Sequence, residues 1–178
     1  MATRKLKIGS RAPDFRLMAT DGNYYTLDEL SNRSGIIVMF GCNHCPYVQA
    51  YEDRVMEIKK EFEKDINVVV INSNDDVKYP EDSFENMIKR SKVRKFNFLY
   101  LWDETQSVAN AFDASHTPEI FLFDKELKLR YHGKIDDNWQ EPENVKTRYL
   151  KDAVEEMIKG KEVSIPETFS IGCTIKWK

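Results

Sequence analysis

Two short apolar runs with an amphipathic stretch between them form the clearest pattern in the chain. Residues 36–40 and 66–71 are the apolar runs, and each has the length of a buried strand. Between them, apolar side chains recur every three or four residues, as they do on one face of a helix. These side chains are Val48, Tyr51, Val55, Ile58 and Phe62. The order predicts a βαβ unit in which the two strands are parallel.

Alternating and turn-forming residues predict two hairpins outside this unit. Phe15 and Leu17 alternate with polar residues ahead of an Asp-Gly turn, which predicts an N-terminal hairpin. A second hairpin joins two apolar segments through a polar turn in the second half of the chain. The strands predicted outside the βαβ unit include residues 24–26, 98–102, 120–123 and 127–131, with Gly133 ending the last.

Three further helices are predicted, over residues 81–95, 106–112 and 143–159. The first has an acidic start, at Glu81 and Asp82, and a basic end, which together match the helix dipole. The side chains of this helix that we expect to face inward are Phe84, Met87, Ile88 and Val93. The last helix ends at Gly160. Its inward side chains are expected to be Val145, Tyr149, Ala153 and Met157, and Leu150, Val154 and Ile158 widen this apolar face. The order of elements predicts an α/β fold, with a mixed central sheet and helices on both faces.

Composition narrows the class of protein. The chain has 178 residues, of which 41% are hydrophobic and 32% charged, as is typical of a soluble globular protein. We expect a single domain over residues 1–178, with residues 1–30 as a hairpin extension and residues 161–178 as a C-terminal tail. The net charge of −3 argues against a nucleic-acid-binding protein. The sequence has neither an apolar run of the roughly 20 residues that span a bilayer nor a secretory signal, which favours the cytoplasm and no membrane partner.

The placement of the cysteines indicates redox chemistry. Two of the three cysteines lie in Cys42-Asn43-His44-Cys45, between a predicted buried strand and an amphipathic helix. At this spacing the two sulfurs can form a small-ring disulfide, and a helix N-terminus favours a thiolate, which is the attacking species in disulfide exchange. We therefore predict that Cys42 is the nucleophile and Cys45 the resolving thiol.

His44 is predicted to support this pair. Its imidazole can donate a hydrogen bond to the Cys42 thiolate or lend it positive charge, and a stabilised reduced form makes a disulfide more oxidising. The hypothesis is that the pair is less reducing than one that flanks Gly-Pro. Pro46 suits the first turn of the helix that follows.

Two other interpretations of the cysteine pair stay open. The pair could be half of a zinc site, but zinc normally requires further ligands at similar spacing, and His116, His132 and Cys173 are isolated in the sequence. Two unrelated buried cysteines would be a second alternative. We expect no metal and no cofactor.

Four segments carry a family resemblance: residues 9–15 (GSRAPDF), 42–48 (CNHCPYV), 117–123 (TPEIFLF) and 172–177 (GCTIKW). Together they resemble the thioredoxin-like superfamily, in its peroxiredoxin-like (AhpC/TSA-related) branch of thiol-disulfide oxidoreductases. They span nearly the whole chain and occur in the expected order. The resemblance implies a thioredoxin-like fold with an N-terminal hairpin and an inserted helix of the peroxiredoxin-like type.

The resemblance also implies that Thr117-Pro118 is a cis-proline element opposite the dithiol. In such proteins the backbone beside this proline pairs with a bound substrate segment, and the ring shields the cysteines from metals. An ordinary trans turn is the alternative. Because His116 precedes this element, it could face the dithiol as an acid or base, or it could lie exposed in a turn.

The chain departs from the family pattern at three places. Peroxiredoxins usually have Thr or Ser three residues before the peroxidatic cysteine, and Met39 stands there. Gly41 replaces the Trp that usually precedes a thioredoxin dithiol, and the strand at residues 36–40 has no acidic residue. Proton transfer to and from Cys45 would then need another group, or water.

Cys173 has three interpretations. It could be a small buried residue that docks the tail, a third redox thiol that reaches Cys42, or an exposed thiol.

Three functions follow from the sequence. The favoured one is a thiol-disulfide oxidoreductase that acts on protein or small-molecule disulfides with a thiol electron donor. The alternatives are a thiol peroxidase that reduces hydroperoxides and a non-catalytic binding module on the same fold. We expect a monomer or a weak homodimer.

Overall fold

Short strands make up the centre of the molecule. In the structure, a computed structural model that describes residues 6–178, they are β1 (Arg16–Ala19), β2 (Tyr24–Thr26), β3 (Gly35–Phe40), β4 (Ile66–Asn72), β5 (Leu99–Trp102), β6 (His116–Thr117), β7 (Glu119–Asp124), β8 (Leu129–Gly133) and β9 (Cys173–Thr174). One mixed sheet has the order β2-β1-β5-β4-β3-β7-β8, and β6 pairs with β9 apart from it. Both predicted hairpins, β1–β2 and β7–β8, are present.

β3 and β4 lie at the centre of the large sheet. Every residue of β3 is buried, because both faces of the sheet are covered. β3 and β4 run parallel, with Gly35 opposite Ile66 and Phe40 opposite Ile71, which confirms the predicted βαβ unit. β7 runs antiparallel along the other side of β3, so the sheet is mixed.

Helices cover both faces of the sheet. They are α1 (Pro46–Glu61), α2 (Phe84–Arg94), α3 (Ser107–Ala111) and α4 (Tyr149–Ile158). α1, α2 and α4 pack in a hydrophobic cluster with Ile37 and Met39 of β3, whereas α3 packs with Ile36 and Val38 on the opposite face. This division follows from the alternation of side chains along a strand. The predicted α/β architecture is therefore confirmed, and no helix within residues 6–178 has the length and apolar character required to cross a membrane.

α2 begins later than the sequence predicted. Pro80–Asp82 form a separate 3-10 turn, and Ser83 caps α2 by accepting a hydrogen bond from the backbone N–H of Asn86. Asp82 is therefore not a surface residue of the first helical turn, since its side chain is fully buried. The prediction for Val93 is wrong as well: its side chain is 79% exposed, and Met87 is the fully buried residue of α2.

α4 also begins later than predicted, at Tyr149 rather than at residue 143. The segment before it is held out of helical conformation by side chains: Asp137 accepts hydrogen bonds from the backbone N–H groups of Lys146 and Thr147, and residues 142–144 form a 3-10 turn. The buried face of α4 is formed by Leu150, Ala153 and Val154, which is narrower than the predicted face.

The C-terminal tail, residues 161–178, returns to the end of the sheet where β3 stops. β9 pairs antiparallel with β6, with Thr174 opposite His116 and Cys173 opposite Thr117. Ile175 is buried next to this pair, and its backbone N–H donates to the carbonyl of Ser115. The tail thus reaches the segment in which the sequence predicts the functional residues.

Candidate active site

The dithiol lies between the end of β3 and the start of α1. Cys45 is the N-cap residue of α1 and Pro46 is the first helical residue, so the loop turns directly into the helix. Gly41 leaves little room beside the loop, because a Cβ there would lie 2.9 Å from Cγ1 of Val70. Both thiols are free and enclosed by protein: Cys42 is 2% exposed and Cys45 is fully buried.

The peptide bond between Thr117 and Pro118 is cis and lies against the dithiol. The Thr117 hydroxyl oxygen is 3.9 Å from the Cys42 sulfur, and the Cys45 thiol donates a hydrogen bond of 3.3 Å to the Thr117 carbonyl. The structure therefore brings together two segments that are more than 70 residues apart in the sequence, in the arrangement that the family resemblance implies.

Cys173 adds a third sulfur to this arrangement. Its Sγ atom lies 2.7 Å from Sγ of Cys45. The side chain is half-buried, so it is neither a fully buried docking residue nor a fully exposed thiol. Where the sequence suggested a thiol that reaches Cys42, the structure places Cys173 against Cys45.

Hydrogen bonds among the three sulfurs control their ionisation. The pKa of Cys45 is lowered to about 4, mainly by a hydrogen bond from Cys42. Burial opposes this shift, and a hydrogen bond from Cys173 adds to it. The same bond with Cys45, then burial and the charge of Asp82, raises the pKa of Cys42. Burial and the bond with Cys45 raise the pKa of Cys173 to about 11. At neutral pH the reduced pair therefore holds one thiolate, and the hydrogen bond between Cys42 and Cys45 lets its charge lie on either sulfur.

Asp82 is a site residue that the sequence did not reveal. Its buried carboxylate accepts hydrogen bonds from the backbone N–H groups of Asn43 and His44 and from the side-chain amide of Asn74. Its charge contributes to the raised pKa of Cys42. Asp82 is therefore a buried acidic group close to Cys42, in a region where β3 has none. The sequence carries only a weak signal for it, a carboxylate soon after a buried strand.

His44 has a carboxylate partner rather than the predicted thiolate partner. Its Nδ1 atom lies 2.5 Å from Oδ2 of Asp82, and its ring stacks on Tyr79 at a centroid distance of 6.0 Å. Ligand atoms of Cys42, His44 and Asp82 all lie within 4.8 Å of one another, so these residues could hold a metal ion such as zinc, for which sulfur, nitrogen and oxygen are all suitable ligands.

Asn43 holds the loop in place. Its side-chain amide donates to the carbonyl of Glu81, and its side-chain oxygen accepts a hydrogen bond from the Tyr100 hydroxyl. The Gln49 amide in turn donates to the Asn43 carbonyl. These bonds tie the loop to β5, α1 and the 3-10 turn, which fixes where the thiols point.

His116 points away from the dithiol. Because neighbouring residues of a strand face opposite sides and Thr117 faces Cys42, the His116 side chain faces the other side of β6. There its ring hydrogen-bonds with the Ser115 hydroxyl and lines a cavity of about 560 Å³ with Glu119 and His132. The geometry gives no support to His116 as the acid or base of the dithiol.

A family comparison gives the evolutionary context of this site. The model of the AhpC/TSA family matches residues 8–132, a range that includes the dithiol and the cis-proline. The chain belongs to the AhpC/TSA family. This AhpC/TSA protein is also 30% identical over 110 residues to a Helicobacter pylori protein named "Putative peroxiredoxin bcp"; the match covers 62% of this chain and 68% of the relative.

Solved structures extend the similarity to the whole AhpC/TSA chain. An uncharacterized conserved protein from Geobacillus kaustophilus is 38% identical, with a TM-score of 0.92 over 97% of this chain and 93% of the other. A hypothetical protein from Sinorhizobium meliloti is also 38% identical, with a TM-score of 0.90 over 98% and 96% of the two chains.

A more distant structure confirms the class of fold. The thioredoxin domain of a thiol-disulfide oxidoreductase from Bacteroides vulgatus has a TM-score of 0.59 at 19% identity, over 70% of this chain and 86% of the other. The predicted thioredoxin-like fold is thereby confirmed. The family match and the bcp relative confirm the peroxiredoxin-like relationship, and the AhpC/TSA family is a class of redox enzymes.

Proposed function

We propose that the protein is a thiol-disulfide oxidoreductase that works through Cys42 and Cys45. The observation that carries this proposal is the position of the dithiol: it lies at the N-terminus of α1 and against the cis Thr117-Pro118 bond. A buried pair of thiols that share hydrogen bonds can exchange two electrons without any other cofactor.

The reaction begins with attack of the Cys42 thiolate on a substrate disulfide. The reduced pair shares one thiolate along its hydrogen bond, and the attack takes place while the charge lies on Cys42 and the proton on Cys45. One substrate sulfur leaves as a thiol with the proton held by Cys45, and Cys42 becomes linked to the other in a mixed disulfide. Cys45 then attacks Cys42, the second substrate thiol leaves, and the Cys42–Cys45 disulfide remains until a thiol donor reduces it. His44 and Asp82 position the loop and set the charge beside Cys42.

The proposed partners are protein or small-molecule disulfides and a thiol electron donor, with no nucleic acid, membrane or cofactor. We also propose that the chain acts as one domain, as a monomer or weak homodimer, in the cytoplasm. Thiol reductants of that compartment would keep the dithiol in the reduced form that starts the reaction.

Reduction of insulin disulfides tests the proposal. Wild-type protein with dithiothreitol should accelerate insulin precipitation, and Cys42→Ser should reduce the rate to that of dithiothreitol alone. Cys45→Ser should trap substrate as a mixed disulfide on Cys42, because the resolving thiol is absent. If wild-type protein gives no acceleration and Cys45→Ser traps nothing, the non-catalytic binding module becomes the better description.

A thiol peroxidase is the second candidate, and one observation favours it. Met39 offers no hydroxyl three residues before Cys42, but the Thr117 hydroxyl lies 3.9 Å from the Cys42 sulfur and could orient a peroxide there. Cys42 would attack the peroxide, form a sulfenic acid and release water or alcohol, and Cys45 would then form the disulfide. Peroxide consumption that Thr117→Val lowers at least tenfold, while insulin reduction is retained, would favour this function.

A further inference from the structure

The C-terminal tail carries a sulfur that the proposed reaction does not use. We propose that Cys173 is a third redox-active thiol that attacks Cys45 in the Cys42–Cys45 disulfide, so that a Cys45–Cys173 disulfide forms and Cys42 is released. The inference rests on the proposed function, because that reaction supplies the Cys42–Cys45 disulfide.

The three sulfurs are arranged for this exchange. Cys45 hydrogen-bonds with Cys42 as well as with Cys173, whose Sγ atom is 2.7 Å away. Cys45 is therefore the shared partner, and either Cys42 or Cys173 can form a disulfide with it. A disulfide bond is about 2.0 Å long, so a movement of less than about 1 Å would bring Cys173 to bonding distance.

The tail holds Cys173 in this position through its backbone. Gly172 approaches β6 so closely that a Cβ there would lie 2.0 Å from the Thr117 carbonyl oxygen. On the other side of Cys173, the backbone N–H of Lys176 donates to the buried side chain of Asn74. The Lys176 carbonyl accepts hydrogen bonds from the backbone N–H of Asp75 and from the side-chain amide of Gln106. These contacts fix the tail on both sides of the cysteine.

The exchange is balanced without any external oxidant. The Cys173 thiolate attacks Sγ of Cys45, the Cys42–Cys45 bond breaks, and Cys42 leaves as a thiolate. The proton lost by Cys173 is matched by the one that Cys42 gains. The number of disulfides stays at one, and the result is an oxidised protein whose nucleophile is again free.

Local charge favours the exchange once the first disulfide has formed. In the reduced site, burial and then the hydrogen bond and negative charge of Cys45 raise the pKa of Cys173, while Lys176 opposes them. Oxidation of Cys45 removes its hydrogen bond and its negative charge, while burial and the charge of Asp82 still raise the pKa of Cys173 and Lys176 still lowers it. Cys173 therefore ionises more readily when Cys45 is ready to be attacked.

Disulfide mapping of the full chain tests the proposal. Wild-type protein is oxidised with oxidised glutathione, its free thiols are alkylated with N-ethylmaleimide, and tryptic peptides are analysed by mass spectrometry. The expected result is a cross-link between the peptides that contain Cys45 and Cys173, with the alkyl group on Cys42. Fragment ions assign the cross-link to Cys45 and the alkyl group to Cys42, since both cysteines lie in the tryptic peptide of residues 34–54.

Cys173→Ser is the matched control. Its oxidised form should carry at least tenfold less alkyl group on Cys42 than the oxidised wild type, because no third thiol can attack Cys45 and release Cys42. The proposal is overturned if Cys173 is alkylated throughout the oxidised wild type and no Cys45–Cys173 cross-link is found. Failure of the proposed function is distinguishable, because wild-type protein and Cys173→Ser would then both fail to reduce insulin.

Discussion

At the scale of single residues, the charge on Cys45 determines how the reduced site responds to pH. Its pKa of about 4 lies well below the ordinary thiol value of 9.0, so the thiolate persists from neutral pH down to mild acid. We expect the thiolate absorbance at 240 nm to disappear as the pH falls through about 4, and this step to be absent in Cys45→Ser. A first thiol step near pH 9 in the folded wild type would contradict this assignment.

The same lowered pKa affects stability. Because the pKa of Cys45 is lower in the folded chain than in the unfolded chain, stability is gained as the pH rises from about 4 towards 9 and is lost on acidification. Above that range the raised pKa values of Cys42 and Cys173 act in the opposite direction. The advantage of reduced wild type over Cys45→Ser, measured by urea unfolding, should therefore be larger at pH 7 than at pH 4.

The His44–Asp82 pair should tune the redox potential. His44→Gln would expose Cys42 to an unpaired carboxylate, disfavour the Cys42 thiolate and make the disulfide less oxidising. Asp82→Asn should shift the potential the other way. A change of about 30 mV corresponds to a tenfold change in the equilibrium constant, so glutathione redox titration resolves such effects. Non-additive shifts in the double variant are expected if the pair acts together; equal potentials in all variants would exclude a role.

The residues of the site differ in how visible they are in the sequence. Cys42 and Cys45 are three positions apart and follow a recognisable strand, so their pattern is local. Asp82 and Cys173 follow Cys45 by 37 and 128 residues but lie at the same site. Asp82 is brought there by a buried turn, and Cys173 by the docking of the tail. No spacing rule links such distant residues, so tertiary structure was needed to find their partners.

At the scale of elements, α2 offers a direct comparison of the predicted and the observed buried face. Met87→Ala should lower the free energy of unfolding by about 2–5 kcal/mol, since a fully buried side chain is removed. Val93→Ala, on the same helix, should change it by no more than about 0.5 kcal/mol, because Val93 is exposed. Urea unfolding measures both. A cost above about 1 kcal/mol for Val93→Ala would favour the inward orientation predicted from the sequence.

Strands and helices were not equally predictable. The apolar runs that form β3 and β4 are continuous, and their burial on both faces leaves little choice of structure. The starts of α2 and α4 depend instead on backbone N–H groups that donate to the side chains of Ser83 and Asp137. Periodicity alone extends a helix through such a segment, which is why both helices were predicted too long.

At the scale of the whole molecule, the tail and the dithiol form a single unit. Gly172→Ala would place a methyl group against the Thr117 carbonyl and should push the tail away from β6. We expect faster hydrogen exchange at the Ile175 amide and faster alkylation of the cysteines, each by about tenfold or more. Thr174→Ala is the control, because Thr174 is exposed on the same strand. Unchanged exchange in Gly172→Ala would mean that the tail tolerates the added atom.

The position of β9 after the dithiol in chain order has a consequence for biosynthesis. A growing polypeptide emerges from the ribosome with its N-terminus first, so β3, α1 and the dithiol can fold before residues 173–174 have been made. Until the tail arrives, Cys42 and Cys45 lack the segment that pairs with β6 beside them. A nascent or truncated chain that lacks residues 173–174 would therefore expose thiols that the tail encloses, and synthesis of that segment completes the redox centre.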